Sequence, residues 1–321
     1  MPEDLICGAA CDAEGMRMVI ALGGNALLRR GERPDADVQV AHLAVAAPAL
    51  AAVAAEHEVV IVHGNGPQVG LLALESTADP ALSKPYPLSD LVAETQGVIG
   101  YWIQQALSNA GLARRAVTLV TQTVVAATDP AFGTPTKYVG TGYPEDHAQL
   151  LESTSGWTFR QDGSQWRRVV ASPEPRRIVE LDAADVLLRN GMTVILAGGG
   201  GIPVVERNSG LAGVEAVVDK DLTAALVATE LRADLFVMLT DVPAVYLDYG
   251  TPKQRPLHEI TVADLAALTF PEGSMGPKVR AAARFVEATK GRAAVGSLDE
   301  TAAVIAGTTG TQIVAELASG Q

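Results

Sequence analysis

The sequence has little cysteine, and all of it lies near one end. Cys7 and Cys11 are the only two cysteines in 321 residues. They cannot join distant parts of the chain, so no disulfide framework is expected and a reducing, cytoplasmic location fits best. No second cysteine pair or histidine cluster completes a zinc site with them, and we assign no metal-binding residue.

Basic residues are scarce as well. Lys and Arg number 24 against 37 Asp and Glu, which gives a formal net charge of −13 and disfavours nucleic acid and anionic membranes as partners. No unbroken apolar run reaches the roughly 18 residues of a membrane span. The start of the chain, MPED, is acidic where a signal peptide is basic. We interpret residues 1–16 as a disordered tail.

Apolar residues, in contrast, are plentiful at 48%, which is enough for a large core. Short β-branched runs alternate with longer helical patterns, which predicts an α/β fold with helices on both faces of a mostly parallel sheet. The predicted strands are 18–22, 58–63, 116–125, 193–197, 235–240, 293–296 and 312–315. The predicted helices include 42–56, 90–110, 182–190, 220–231 and 277–289.

Residues 129–177, called the insert below, interrupt this alternation. The insert carries several prolines, two of the three tryptophans and a hairpin signal in which Asp162-Gly163-Ser164 joins WTFRQ to QWRRVV. Its six basic residues balance its six acidic ones, so it would not repel an anionic substrate. We interpret it as a lid. Its Trp and Arg residues could also form a stacking surface for nucleic acid, although packing within the hairpin is the simpler interpretation.

Three predicted strands end in glycine-rich turns. These are Gly23-Gly24-Asn25, Gly64-Asn65-Gly66 and Gly198-Gly199-Gly200-Gly201. Glycine lets the backbone approach a ligand closely, and the carboxyl ends of parallel strands gather ligands at one edge of a sheet. Any one of these turns could be purely structural, but three together predict a site for a phosphate or carboxylate. His63, beside the second turn, is interpreted as a packed residue at a strand end.

Two of the few lysines stand where helices are predicted to begin. Lys220 lies in Asp219-Lys220-Asp221, and Lys278 follows Gly276-Pro277. Lysines near the backbone N–H donors of a helix start suit a transferring phosphoryl group. Lys220 could equally be a solvated residue, with its two neighbours as ordinary helix-start acids. Neither a P-loop nor a G-x-G-x-x-G turn is present, which disfavours a P-loop NTPase and a simple Rossmann dehydrogenase.

These motifs together resemble the carbamate kinases of the amino-acid kinase superfamily. The resemblance runs from about Met18 to the C-terminus, through ALGGNAL (21–27), HGNGPQVG (63–70), PTK (135–137), GGGGIP (198–203), GVEAV (213–217), DKD (219–221), LTDV (239–242) and GSMGPKV (273–279). It implies one domain over residues 17–321, a three-layer α/β/α sandwich with an open, mostly parallel sheet and a protruding lid. It also implies a cytoplasmic homodimer that takes part in arginine metabolism.

The implied reaction is reversible phosphoryl transfer between ATP and carbamate, which gives ADP and carbamoyl phosphate, with Mg²⁺ carried by the nucleotide. The implied catalytic residues are Lys137, Lys220, Lys278 and Asp221. The residues implied to bind the carbamate and the phosphoryl group are Gly23, Gly24, Asn25, Gly64 and Asn65. Those implied around the nucleotide are Gly198, Gly199, Gly200, Thr240, Asp241, Tyr246, Met275 and Pro277.

The sequence departs from the family pattern at Tyr138, which follows Lys137 where a proline is usual and leaves φ freer. Glu272 likewise replaces a more familiar proline. Two alternative functions stay open. A related kinase of the same fold could act on another small carboxylate or phosphate, and a non-catalytic protein could bind a nucleotide or anion. The retained lysines argue against the second.

Overall fold

The computed structural model describes residues 15–24, 27–28, 31–270 and 275–316. Within these residues the strands are β1 (Arg17–Leu22), β2 (Glu58–His63), β3 (Ala116–Thr118), β4 (Gln122–Val125), β5 (Lys137–Tyr143), β6 (Thr158–Asp162), β7 (Gln165–Val170), β8 (Pro175–Ile178), β9 (Thr193–Ile195), β10 (Ile202–Arg207), β11 (Gly210–Gly213), β12 (Leu235–Thr240), β13 (Val245–Leu247), β14 (Arg255–Leu257), β15 (Glu259–Thr261), β16 (Arg292–Ser297) and β17 (Thr311–Val314). The helices are α1 (Ala36–Glu56), α2 (Gly66–Ala78), α3 (Leu88–Asn109), α4 (Glu145–Ser155), α5 (Leu181–Arg189), α6 (Lys220–Glu230), α7 (Val262–Ala266), α8 (Met275–Thr289) and α9 (Thr301–Ala306).

Eight strands form the main sheet, in the order β15-β17-β16-β12-β1-β2-β9-β3. Neighbours run parallel except β16 and β17, which are antiparallel. The central strand, β1, pairs with β12 on one side and β2 on the other, so that Met18 lies between Leu235 and Val59. Central strands of a parallel sheet are covered on both faces, which explains why β1 reads as a nearly continuous apolar run.

Helices cover both faces of this sheet. Val19 and Ala21 of β1 pack into one cluster with residues of α5, α6 and α8. Met18, Ile20 and Leu22 point the other way, into a cluster with α1, α3 and α9. The alternation follows from the two-residue period of a strand. The predicted three-layer α/β/α sandwich is therefore confirmed.

By length and composition, α1 is the one helix among the described residues that could cross a membrane. In the folded chain, Leu43, Leu50 and Val53 on α1 are buried in the second cluster instead. Length and hydropathy alone do not distinguish a membrane helix from a helix that covers a sheet.

The run 116–125 was expected to be one strand and is two, so that prediction was wrong. β3 ends at Thr118 in the main sheet, whereas β4 begins at Gln122 in a four-stranded sheet of order β11-β10-β4-β8. Between them, the N–H of Thr121 donates to Oε1 of Gln96 at 2.7 Å. A side chain from α3 thus replaces the strand ladder where the chain changes sheets, and apolar periodicity carries no signal for such a change.

Three strands of the insert form a sheet of their own, in the order β5-β7-β6. The predicted hairpin is confirmed: β6 and β7 pair from Asp162 and Gln165 onward, and Gly163 has a φ of +63° in the turn between them. Tyr143 and Phe159 pack against α4 in a small core. β8 already pairs with β4, so the chain has returned to the body before the insert ends.

Phe285 holds α8 to the sheet. Its ring is fully buried and meets that of Phe236 on β12 at 5.7 Å between centroids, inclined at 63°. We expect Phe285→Ala to lower the free energy of unfolding by about 3–5 kcal/mol because it leaves a cavity. Tyr86→Ala removes an aromatic ring that is 50% exposed and should cost well under half as much. Urea denaturation measures both, and equal losses would contradict this assignment.

Candidate active site

The carboxyl ends of the central strands bring their turns together. The N–H of Gly23, just after β1, donates to the carbonyl of Leu239 in β12 at 2.8 Å. The N–H of Gly64, just after β2, donates to the carbonyl of Leu22 at 3.2 Å. The turn after β1 is therefore held between the ends of its two neighbours.

Gly24 and Gly64 face each other closely. A Cβ on Gly64 would lie 3.3 Å from the backbone nitrogen of Gly24 and 3.6 Å from Cδ of Lys220. A Cβ at position 64 would therefore press on the opposite turn, while it would be in ordinary van der Waals contact with the lysine. The predicted convergence of these two turns is confirmed.

The third glycine turn lies beneath the start of α6. Gly199 and Gly200 have φ values of +68° and +92°, which disfavour any residue with a side chain. A Cβ on Gly199 would come within 2.6 Å of Oδ1 of the buried Asn65. The carbonyl of Gly200 accepts hydrogen bonds from the hydroxyls of Thr123 and Thr223, the latter on α6. This turn joins the other two and supports the helix that carries Lys220.

Asp219 is the N-cap of α6. Its Oδ1 accepts the backbone N–H groups of Asp221 and Leu222 at 2.9 and 3.3 Å. Its Oδ2 accepts a hydrogen bond from Nζ of Lys137 in the insert at 2.5 Å. The sequence predicts a helix-start acid here, and the structure adds that it draws Lys137 to the site.

Asp221 lies between the other two predicted lysines. Nζ of Lys220 donates to its Oδ1 at 2.5 Å, and Nζ of Lys278 donates to its Oδ2 at 3.0 Å. The exposed fractions of the three side chains are 6% for the aspartate and 13% and 14% for the lysines. Two cations from helix starts 58 residues apart thus share one buried carboxylate.

The charges in this cluster stabilise one another. Burial would raise the pKa of Asp221, but Lys220 and Lys278 outweigh it and hold that pKa well below its usual value. Burial and the neighbouring Lys278 lower the pKa of Lys220. Burial also opposes the charge of Lys278, yet Asp221, Asp219 and Asp241 raise its pKa. Asp221 is therefore a carboxylate that orients cations rather than a proton carrier.

The predicted nucleotide residues lie at the same edge of the sheet. Thr240 ends β12, and its hydroxyl donates to Asp241 at 3.0 Å. Met275 and Pro277 stand in the first turn of α8 beside Lys278. Tyr246, on β13, packs its ring against Tyr249 at 5.9 Å. The structure thus groups four of these residues with the lysines, namely Thr240, Asp241, Met275 and Pro277. Tyr246 lies farther along the chain, in the hairpin that follows β12.

Some predicted features lie outside the described residues. They are Asn25, the motif residues Glu272, Gly273 and Ser274, and residues 1–14 of the tail.

Sequence reasoning missed two supports of the site on α3. Nδ2 of Asn65 donates to the hydroxyl of the buried Thr95 at 2.8 Å. Nε2 of the buried Gln96 donates to the carbonyl of Gly198 at 3.1 Å. Buried polar groups need such partners. The sequence signal that could have indicated these supports is the polar pair Thr95-Gln96 among the apolar residues of the predicted helix 90–110.

His63 is buried, as predicted for a packed residue, with 1% of its surface exposed. Its Nδ1 lies 3.0 Å from the carbonyl oxygen of Gly64, so the neutral ring donates there. A Cβ on Gly198 would overlap the far side of the ring, and Nε2 has no hydrogen-bond partner. Burial and the charge of Lys220 lower the pKa of His63 to about 4, despite the bond to Gly64.

Comparisons with known proteins agree with this geometry. The model of the amino acid kinase family matches residues 16–297. The carbamate kinase of Rhizobium meliloti is 49% identical over 302 residues, which cover 93% of each chain, and that of Escherichia coli K12 is 46% identical over 296 residues, 92% of this chain and 98% of the relative. The structure of carbamate kinase from Giardia lamblia bound to citric acid superposes with a TM-score of 0.88 at 40% identity, covering 94% of this chain and 99% of that one. The chain belongs to the carbamate kinase family.

From its sequence, this carbamate kinase family member is expected to depart from the usual family pattern at Tyr138. The structure places this residue in β5 opposite Val169, and its hydroxyl donates to the carbonyl of Gln161 at 3.0 Å. The guanidinium of Arg167 lies over its ring at 5.2 Å. Tyr138 therefore ties the three strands of the insert together beside Lys137.

The burial of His63 predicts acid sensitivity. The unfolded chain binds a proton at this side chain near pH 6.5, and the folded chain only near pH 4, so the free energy of unfolding should fall as the pH drops between those values. The loss should be about 2–3 kcal/mol. His63→Gln removes this component, whereas His258→Gln, at an exposed position, keeps it.

Urea denaturation at a series of pH values separates the two variants, because other titrating groups are common to both. A pH dependence in His63→Gln as steep as that in His258→Gln would contradict the prediction.

Proposed function

We propose that this phosphotransferase of the carbamate kinase family catalyses reversible phosphoryl transfer between ATP and carbamate, giving ADP and carbamoyl phosphate. The observation that carries the proposal is the pair of buried lysines, Lys220 and Lys278, on the single carboxylate of Asp221. Lys220 begins α6 beside Gly64, and Lys278 lies in the first turn of α8. Such a cluster is built to receive the charge of a transferring phosphoryl group.

The chemistry requires positioning and charge neutralisation more than proton transfer. Carbamate already carries an anionic oxygen that can attack the γ-phosphorus in line, while the bond to the β-phosphate oxygen breaks. No general base is therefore required. The low pKa of His63 and its buried place behind Gly198 agree with a packing role for the histidine nearest to the site.

Each predicted residue has a role in this scheme. Lys220 and Lys278 would flank the transferred group, Asp221 would hold both lysines, and Lys137 would reach the same group from the insert, which acts as a lid. The turns at Gly23, Gly24 and Asn25 and at Gly64 and Asn65 would line the carbamate pocket. The residues that would surround the nucleotide are Gly198, Gly199, Gly200, Thr240, Asp241, Tyr246, Met275 and Pro277.

Mg²⁺ would arrive with the nucleotide and neutralise charge on its phosphate oxygens. Among residues 15–24, 27–28, 31–270 and 275–316, no group of three His, Cys, Asp or Glu side chains lies close enough to hold a metal ion. The carboxylate of Asp221 is already shared between two lysines. In the proposed reaction the metal is held by the substrate phosphates rather than by a protein cage.

We also propose a cytoplasmic homodimer. The helix α3 exposes Val98 and Tyr101, with 38% and 53% of their surfaces accessible, and Val120 in the following segment is 55% exposed. Exposed apolar residues on one helix are suited to burial between two copies of a chain. Cys7 and Cys11 lie too close together in sequence to join distant parts of the chain, which fits a reducing compartment.

The direct test is ATP formation from ADP, Mg²⁺ and carbamoyl phosphate by the purified protein. We expect rapid synthesis that depends on carbamoyl phosphate and much slower synthesis from acetyl phosphate. A folded protein that binds nucleotide but makes no ATP from carbamoyl phosphate would refute the proposed reaction.

Lys220→Ala tests the lysine cluster. We expect kcat to fall about 10²- to 10³-fold, as when a single electrostatic donor is removed, while the circular dichroism spectrum is unchanged. Lys290→Ala is the matched control, because Lys290 is exposed and lies between α8 and β16, at the opposite edge of the sheet. Near-normal turnover by a folded Lys220→Ala protein would exclude the assigned role.

A further inference from the structure

Two ion pairs join the insert to the body of the protein next to the site. Lys137 on β5 pairs with Asp219 at 2.5 Å, and Arg168 on β7 pairs with Glu215 at 3.0 Å. The two acidic partners are four residues apart in the segment that leads into α6. Both contacts therefore fix the insert to the stretch of chain that ends at Lys220.

Arg168 is held from two sides. Its guanidinium lies 4.0 Å from the ring centroid of Trp157, within the insert, and 10% of its side chain is exposed. Burial lowers its pKa, and the charge of Glu215 opposes that change. A buried guanidinium requires its partner, because the cost of removing it from water is otherwise uncompensated. Glu215 keeps 55% of its side chain exposed, so the pair joins a buried guanidinium to a carboxylate that water still reaches.

Glu215 is in turn tied to the body. Its Oε1 accepts from Arg168, while its Oε2 accepts the backbone N–H of Leu88, the first residue of α3, at 2.9 Å. Both carboxylate oxygens are used, one toward the insert and one toward a helix of the body. The contact therefore links two rigid elements through a single side chain.

The strand register connects this contact to Lys137. In the β5–β7 ladder, Lys137 is opposite Val170 and Val139 is opposite Arg168. Opposed residues and alternate residues share one face of a sheet, so Lys137 and Arg168 project from the same face, two residue steps apart. Because β5 and β7 are joined by the hydrogen bonds of this ladder, a shift of Arg168 would also shift the position of Lys137.

An uncharged contact lies on the same strand. Gly140 on β5 meets Gly70 on α2, and a Cβ on Gly140 would lie 3.3 Å from Cα of Gly70. Two glycines allow this close backbone approach, but they supply no directional bond. The two ion pairs supply directional contacts beside this point, together with the backbone hydrogen bond from the N–H of Val217 to the carbonyl of Ala171 at 3.0 Å. Val139 and Val170 add apolar packing against the body.

We propose that Glu215 and Arg168 are positioning residues for the reaction, and that their ion pair orients the insert so that Lys137 reaches the transferred phosphoryl group. This inference rests on the proposed function, in which Lys137 contacts that group. Neither Glu215 nor Arg168 is placed against the substrate. Their effect on turnover should therefore pass through Lys137.

The experiment compares Glu215→Gln and Arg168→Met with wild type, each alone and combined with Lys137→Ala. Glutamine keeps one carbonyl oxygen, so it can retain the partner on α3 or Arg168 but not both. We expect each single variant to lower kcat about tenfold, since small misplacements of a catalytic group have effects of this order, with little change in KM for ADP. In the Lys137→Ala background, the same changes should lower kcat by less than about twofold.

Glu206→Gln is the matched control, because Glu206 forms an exposed ion pair with Arg177 at 2.7 Å between β10 and β8, outside the ladder of the insert. It should leave kcat unchanged. The proposal is overturned if Glu215→Gln and Arg168→Met turn over at the wild-type rate. It is also overturned if their effects are equally large with and without Lys137, which would indicate a general structural role.

Amide hydrogen exchange on the same variants without substrate tests the contact separately from activity. We expect faster exchange in β5 and β7 for Glu215→Gln and Arg168→Met, and wild-type exchange for Glu206→Gln. Unchanged exchange would overturn the proposal. Faster exchange in a protein that makes no ATP from carbamoyl phosphate would instead support the contact and reject the proposed reaction.

Discussion

The carboxylate of Asp221 is the constraint on which the site depends. Lys220 and Lys278 are both largely buried, and two ammonium groups at such short range repel each other strongly when water is excluded. A single shared carboxylate offsets the repulsion and fixes the position of both lysines. With Lys137, Asp219 and Asp241 included, three cations face three carboxylates, so the cluster balances its own charge inside a protein whose formal net charge is −13.

The sheet determines where this cluster can form. Because β2, β1 and β12 run parallel, their carboxyl ends meet at one edge, and the turns that follow are held by hydrogen bonds between neighbouring strands. The helix α6 begins at the same edge, above the turn formed by Gly199 and Gly200. The lysines are thus fixed by the backbone of rigid elements, and only Lys137 arrives from a separate sheet.

Most of the fold and much of the candidate site can be predicted from the sequence, for reasons that particular residues show. The apolar run of β1 indicates burial on both faces, and the glycines of the third turn indicate positive φ values, which Gly199 and Gly200 adopt. The break between β3 and β4 escaped detection because both pieces are apolar. Glu215 was passed over as well, since its partner Arg168 is 47 residues away and neither residue has a local pattern that points to the other.

The ion pair between Lys137 and Asp219 also bears on how a phosphoryl group could enter. An ammonium group has three donors, and the bond to Asp219 uses one of them. In the proposed reaction, Lys137 would therefore contact an incoming phosphate oxygen without leaving its carboxylate. Asp219 is itself fixed by the helix that it caps, so binding requires little rearrangement there. In the proposed reaction, a lysine from the insert would thereby be held at the site before the substrate arrives, which would lower the entropy that must be lost in the transition state.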